Sequence, residues 1–330
     1  MAFYPLLIPV FVSAGYDPLV GIAVVLLGSG AGVLASTVNP FATGIASGFA
    51  GVSLGDGLPL RLAMLFIFDA AAIWYVMAYA KKVRAHPEKS LTAGLGRRSA
   101  APKGGDAPAL TARRKVVLAL FTAVFLVMIY AVIPFDEIGA PIPTLGWWFP
   151  ELSGLFLVGG VVIGAAYGLG EEETVNAFVS GAADLIGVGL IIGISRGITV
   201  LMDGGQITDT ILHWGEKALT GTGSVAFLLL VYLLYIPLSV LIPSSSGLAT
   251  LSVPILAPLG QFAGIDGSLI VTAFQSASGL VNIVTPTAAV VMGGLALGDV
   301  PYDRWMRFVW KLVLIFFLLT VGFLAVSAIL

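Results

Sequence analysis

No cysteine occurs among the 330 residues, which removes disulfides, thiolate metal sites and cysteine nucleophiles together. Charge is scarce as well: Asp, Glu, Lys and Arg make up 10% of the chain, against about a quarter in an ordinary soluble domain. The two histidines, His86 and His213, have no metal-ligand spacing to each other. Ten-residue segments of alternating hydrophobicity are missing, so apolar spans read as helices rather than barrel strands.

What is abundant is hydrocarbon. Hydrophobic residues reach 58% and the mean hydropathy is +1.03. Uncharged runs cover 116–135, 152–170, 218–265, 267–298 and 312–330. Each meets or exceeds the ~18–20 residues that a helix needs to cross the bilayer. The expected class is an all-α polytopic membrane protein, with the lipid bilayer as its first partner.

Ten of the sixteen Lys and Arg fall between Lys81 and Lys115. The segment is rich in Gly, Ala and Pro and has no apolar periodicity, so 81–115 reads as a cytoplasmic linker. No aromatics interleave its charges, which argues against nucleic acid as a partner. Counting from this loop, 116–134 runs outward, 152–169 inward and 177–200 outward. The stretch 205–217 puts Ile207, Ile211 and Trp214 on one stripe, as a helix lying on the outer surface would.

Residues 218–265 are too long for one span and suit two arms of a re-entrant hairpin. Its expected break is "PSSSG", Pro243 to Gly247, where Ser244, Ser245, Ser246 and Gly247 would offer hydroxyls and backbone groups to a ligand. The alternative is a kink whose serines bond back to their own helix.

The chain also repeats itself. "PLLIPVFVSAGYD" (5–17) matches "PILAPLGQFAGID" (254–266), "VNPFAT" (38–43) matches "VTPTAA" (284–289), and "LGDGLPLR" (54–61) matches "LGDVPYDR" (297–304). The offset drifts only from 249 to 246 to 243. Four crossings, 62–80, 116–134, 152–169 and 177–200, separate Pro40 from Pro286, so the copies are expected to be inverted, as in secondary transporters. Arg304, Arg307 and Lys311 then fall on the cytoplasmic side, as positive-inside placement requires. The expected organisation is a partial first repeat at 1–80, the linker 81–115, and a second repeat at 116–330 containing the hairpin 218–265 and a broken helix 267–298.

As single straight helices, 18–55 and 267–298 would be about 57 and 48 Å long, more than the bilayer holds. Pro40 and Pro286 are the expected breaks, freeing the carbonyls of Ser36 and Asn282. Ser36, Asn39, Pro40 and Thr43 surround the first, Asn282, Thr285, Pro286 and Thr287 the second, with Gln275, Ser276 and Ser278 one to three turns earlier. Oxygen-only ligands suit Na⁺, with Asn282, Thr285, Ser36 and Asn39 as its candidate set. Half-helix N-termini suit an anionic group. Packing through small residues is the competing explanation.

The segments "IPSSSGLATLSVPILAPLG", "SASGLVNIVTPTAAVVMGGLALGDVPYDRW" and "STVNPFATGIASGFAGVSLGDGLPLR" resemble the YfcC family, relatives of the DcuC-type C4-dicarboxylate carriers within the ion transporter superfamily. The resemblance spans essentially all of the chain. It implies an inner-membrane, multi-pass secondary carrier with two inverted units, an elevator-like substrate domain and, by analogy, a homodimer. It implies substrates of the C4-dicarboxylate or basic amino acid class, driven by Na⁺, by H⁺ or by exchange, and no enzymatic activity. It also points to Ser244–Gly247, Ser36, Asn39, Pro40 and Asn282, Thr285, Pro286 and Thr287 as the site. Met1 aligns with Thr250, past the second hairpin's tip, so the first hairpin's tip, which resembles Gly-Glu-Glu in relatives, is expected to be missing from an N-terminally truncated first repeat.

Three ionisable residues sit at expected membrane depth. Asp69 is a candidate for proton coupling or helix pairing. Asp184 and Arg196 are about 18 Å apart along one helix and cannot pair directly. Glu171, Glu172 and Glu173 read as a solvated helix end, while Asp56 and Asp299 are expected to favour the N-termini of the last helices. Rival functions are a transport-inactive fragment or scaffold and, more remotely, an intramembrane serine protease built on "SASG" with His213.

Overall fold

The computed structural model describes residues 4–37, 39–94, 110–133, 135–136, 141–147, 149–207, 210, 213–214, 217 and 221–329. Every regular element among them is helical. In order they are α1 (Tyr4–Ser13), α2 (Pro18–Leu34), a π-helical turn (Pro40–Gly44), α3 (Ile45–Ala50), α4 (Leu58–Ala85) and a 3₁₀ turn (Pro87–Lys89). Then follow α5 (Ala112–Val132), α6 (Phe149–Tyr167), α7 (Glu171–Gly204), α8 (Ser224–Leu241), α9 (Ser245–Phe262), α10 (Gly267–Asn282), α11 (Ala289–Leu297) and α12 (Tyr302–Ser327). Among the described residues, α4, α5, α6, α8 and α12 are long and apolar enough to cross a membrane.

Helices outrun the expected apolar spans because charge near a helix end extends it. Lys82 and Arg84 occupy the last turn of α4, and Glu171–Glu173 the first turn of α7, each complementing the helix dipole. Ile207 and Trp214 of the expected surface stripe are exposed, while Ile211 lies outside the described residues, as do the side chains of Asp184 and Arg196.

Two compact units form, Met1–Lys103 with Gly187–Leu330, and Gly104–Ile186. In the smaller unit, Thr111 caps α5 by accepting from Arg114 N at 3.4 Å, and Gly159 of α6 makes room for Val124 of α5.

The larger unit holds both sets of matched segments, 5–61 and 254–304, and their corners are built alike. α1 gives way to Gly15 (φ 87°) and α9 to Gly264 (φ 75°), left-handed conformations that favour glycine. Two residues later Asp17 caps α2 through Val20 N (3.0 Å), and Asp266 caps α10 through Ser268 N (2.8 Å). A capping carboxylate satisfies an orphan N–H and starts the helix.

Between these copies the contacts run in reverse order along the chain. A Cβ on Gly298 would lie 2.4 Å from Ile22, one on Gly30 2.6 Å from Ile283, and one on Gly279 2.4 Å from the Leu34 Cα. Further along, Gln275 reaches Ser36, and Gly267 sits against Ala50. As residue numbers rise from 22 to 50 in the first copy, partners fall from 298 to 267 in the second, so the two segments lie antiparallel. At the centre stands α10, with Ser268, Thr272, Gln275, Ser276 and Ser278 all buried along it.

α8 and α9 form a closed hairpin. Ser224 Oγ donates to Ala263 O at 2.7 Å across its base, and Ser252 Oγ donates to Tyr235 OH at 3.2 Å midway. α4 and α12 pair antiparallel through Phe68 with Phe316 (5.3 Å between ring centroids) and Tyr75 with Phe308 (5.3 Å).

Candidate functional site

Three interruptions carry the polar chemistry of the larger unit: 35–44, 242–244 and 283–288. Not one ionisable side chain falls in 34–47, 239–247 or 267–288, so whatever they bind must meet hydroxyls, amides and backbone dipoles.

At the first interruption α2 stops at Leu34, and the chain re-enters helix as a π turn at Pro40. Ser36 Oγ accepts from Asn39 N at 3.0 Å and lies 3.5 Å from Thr43 Oγ1. Gln275 of α10 closes the break: its Nε2 donates to Ser36 O at 2.6 Å, and its Oε1 accepts from the Thr43 hydroxyl. Ser276 Oγ donates to Leu34 O at 3.1 Å. Burial of this cluster makes each of these bonds necessary, because an unmet polar group there costs more than the bond gains.

At the second interruption α10 stops at Asn282 and α11 begins at Ala289. Pro286 is exposed in the gap, while Thr285 is buried. Thr285 and Thr287 share a hydroxyl contact of 2.8 Å, and Thr287 Oγ1 donates to Val240 O at 3.3 Å. That bond ties this interruption to the end of α8, beside the hairpin tip. α12 covers two of the freed carbonyls: Trp305 Nε1 donates to Ile283 O at 3.0 Å, and Tyr302 OH donates to Val284 O at 2.6 Å. Neither the carbonyl nor the side-chain amide of Asn282 meets a partner among the described residues.

The hairpin tip is shorter than its sequence implies. Ser244 is an N-cap whose Oγ accepts from Gly247 N at 3.2 Å. Ser245, Ser246 and Gly247 are therefore the first turn of α9 rather than unwound chain, a correction to the expected five-residue break. Ser244 and Ser246 hydroxyls lie 3.4 Å apart. α9 packs along the π turn and α3, and both hairpin arms pack on α10, so one helix supports all three interruptions.

A model of the DcuC family, described as a C4-dicarboxylate anaerobic carrier, matches residues 1–329. The chain belongs to the DcuC family. An uncharacterized protein of Haemophilus influenzae is 36% identical over 318 residues, covering 95% of this chain and 60% of that relative. A protein of Escherichia coli provisionally named as the basic amino acid antiporter YfcC is 28% identical over 320 residues, covering 93% of this chain and 61% of its own length. The chain thus spans about three-fifths of the length of these relatives. No solved structure matches it.

In this DcuC-family chain the expected bare carbonyl at Ser36 is taken by Gln275, whereas Asn282 keeps its oxygen open. Ser36, Asn39 and Thr43 come together at one interruption, and Thr285 and Thr287 at the other. No hydrogen bond among the described residues joins Ser244, Ser245 or Ser246 to either. Asp56 and Asp299 lie one and two residues before the N-cap positions of the last helices, which Gly57 and Pro301 hold; Asp56 accepts from Ser53 N at 2.8 Å, and Asp299 adopts φ 50°. Trp305 and Tyr302 are contributors that sequence spacing missed, since "PYDRW" reads only as the opening of a helix. Both serines of the "SASG" named in the serine-protease reading are buried, and Ser276 spends its hydroxyl on Leu34 O. In the smaller unit a groove of about 700 Å³ lined by Phe156, Leu157, Val161, Val175 and Phe178 offers a charged metabolite little but carbon.

Proposed function

We propose that this DcuC-family chain forms the substrate-handling part of a secondary carrier in the cytoplasmic membrane. It moves small charged metabolites, coupled to Na⁺ or H⁺ or working by exchange. The two repeats act as inverted halves, and substrate sits where the hairpin tip meets the interruptions at 35–44 and 283–288. Asn282, Ser245, Ser246 and the start of α11 face the substrate. Ser36, Asn39, Thr43, Thr285 and Thr287 shape the site, and Asn282 with Thr285 is the pair best suited to a small cation.

The observation that carries this reading is the hydrogen bond from Thr287 to Val240 O. It ties the residues just before α11 to the end of α8, five residues before α9 begins, in a region without ionisable side chains. Two positive helix ends complement carboxylates, which favours a C4-dicarboxylate. The name of the YfcC relative favours a basic amino acid instead, for which the open Asn282 carbonyl and the C-terminal ends of α2 and α10 are the complementary groups.

Proteoliposome uptake of labelled C4-dicarboxylates and basic amino acids, under imposed Na⁺ or pH gradients, tests the proposal. Saturable, gradient-dependent uptake of either class is the expected result. Flux no greater than in empty liposomes, across the whole panel, points to the non-transporting scaffold.

A further inference from the structure

One ionisable group at membrane depth plays no part in the site above. Asp69 is the twelfth residue of the 28-residue α4, about 17 Å from its start and 18 Å from Lys81 by helical rise. Its side chain is half-buried and meets no hydrogen-bond or ion partner among the described residues. Around it α4 presents Leu62, Phe66, Ile73 and Met77, all exposed and apolar.

Among the described residues, no cation answers it from α2, α12 or the 3₁₀ turn, the elements packed most on α4. α2 has no ionisable side chain from Pro18 to Leu34, and its cap Asp17 is engaged by Tyr79 OH at 2.7 Å and Ser90 Oγ at 2.6 Å. On α12, Asp303, Arg304, Arg307 and Lys311 lie in the first three turns. Arg304 and Arg307 pair with Asp303 at 3.5 and 3.9 Å, and the Lys311 ammonium lies over the Trp310 ring. Phe68, next to Asp69, instead meets Phe316 and Phe323, the first about 7.5 Å by helical rise beyond Lys311, the last of those charges. In the 3₁₀ turn, Glu88 pairs with His86 at 3.2 Å, and Lys89 stands with them beyond the end of α4. On α4 itself Arg61 donates to Leu54 O and Asp56 O at 2.7 and 2.9 Å, and Lys81, Lys82 and Arg84 crowd the opposite end.

A lone carboxylate on an apolar face in the middle of a span cannot hold its charge cheaply, and with no cation to offset it the neutral acid is the favoured form. We propose that Asp69 is a proton-binding site: it is protonated at neutral pH inside the membrane, and gives its proton to water when α4 meets an aqueous path during transport. Only the carboxyl O–H bond breaks. This rests on the carrier reading only for its coupling role and deepens it by naming the coupled ion; the proton occupancy follows from the position of Asp69 in a membrane-spanning α4.

Infrared spectra of the full chain in lipid nanodiscs, carrying carboxyl-¹³C aspartate, test the occupancy at about pH 7. The expected result is a protonated-carboxyl band that moves with the label, fades on alkaline titration and is missing from Asp69→Asn. Absence of the band from the wild type, or its persistence in Asp69→Asn, overturns the proposal. Asp69→Asn variants are accepted only at wild-type helicity by circular dichroism; where that fails, the label-sensitive alkaline titration of the wild type decides alone. In vesicles holding a pH dye, substrate uptake should move protons in the wild type and in Asp69→Glu but not in Asp69→Asn. Substrate uptake by the wild type without proton movement overturns the coupling role. A band present without any uptake rejects the carrier reading and leaves the proton site standing.

Discussion

Gly279 and Leu34 approach so closely that a Cβ on the glycine would lie 2.4 Å from the leucine's Cα. Adding the repeat offset of 249 turns Gly30 into 279 and Leu34 into 283, and Gly30 does face Ile283. The two contacts are thus interchanged by swapping the matched segments. Gly279→Ala must push backbone away, whereas Gly30→Ala displaces only the Ile283 side chain. Overpacking of this kind costs about 1–3 kcal/mol, so Gly279→Ala is expected to lower the thermal midpoint in detergent clearly, and more than Gly30→Ala does.

Gln275 and Asn282 separate stability from function. Gln275→Leu leaves buried Ser36 O without its partner, at about 1–3 kcal/mol for the abandoned carbonyl, and leaves the Thr43 hydroxyl only its 3.5 Å contact with Ser36 Oγ. Both the thermal midpoint and uptake should fall.

Asn282→Ala removes no bond made by the described residues. Its thermal midpoint should match the wild type, within the ~0.5 kcal/mol typical of neutral sites, while substrate binding is lost. A wild-type uptake rate in Asn282→Ala counts against the site.

Asp17 and Asp266 occupy equivalent corners with unequal duties. Both cap a helix, but Asp17 also accepts from Tyr79 and Ser90, which pins residues 90–92 to the larger unit. Losing the cap alone costs ~1 kcal/mol. Asp17→Ala should therefore destabilise the protein more than Asp266→Ala and raise proteolytic cleavage near Ser90; equal cleavage in the two variants contradicts this docking.

Features written locally were legible in the sequence. The Gly-x-Asp corners at 15–17 and 264–266, the hairpin and the interruptions near Pro40 and Pro286 each follow from capping, left-handed glycine or a missing N–H within a few residues. Contacts between copies were not legible. Gln275 meets Ser36 across 239 residues, and no local pattern marks which carbonyl it will cover. Trp305 and Tyr302 hide Ile283 O and Val284 O for the same reason. At the tip the error was in extent: once Ser244 caps, nothing in Ser245–Ser246–Gly247 prevents the helix from starting.

Ser245 offers the most direct test of a substrate site at the hairpin tip. The chain has no cysteine, so Ser245→Cys creates a single thiol that a small maleimide can report. The account predicts slow labelling in proteoliposomes that transported C4-dicarboxylate or basic amino acid slows further, in a saturable way. Labelling as fast as at a surface cysteine, and unchanged by either substrate class, would contradict it.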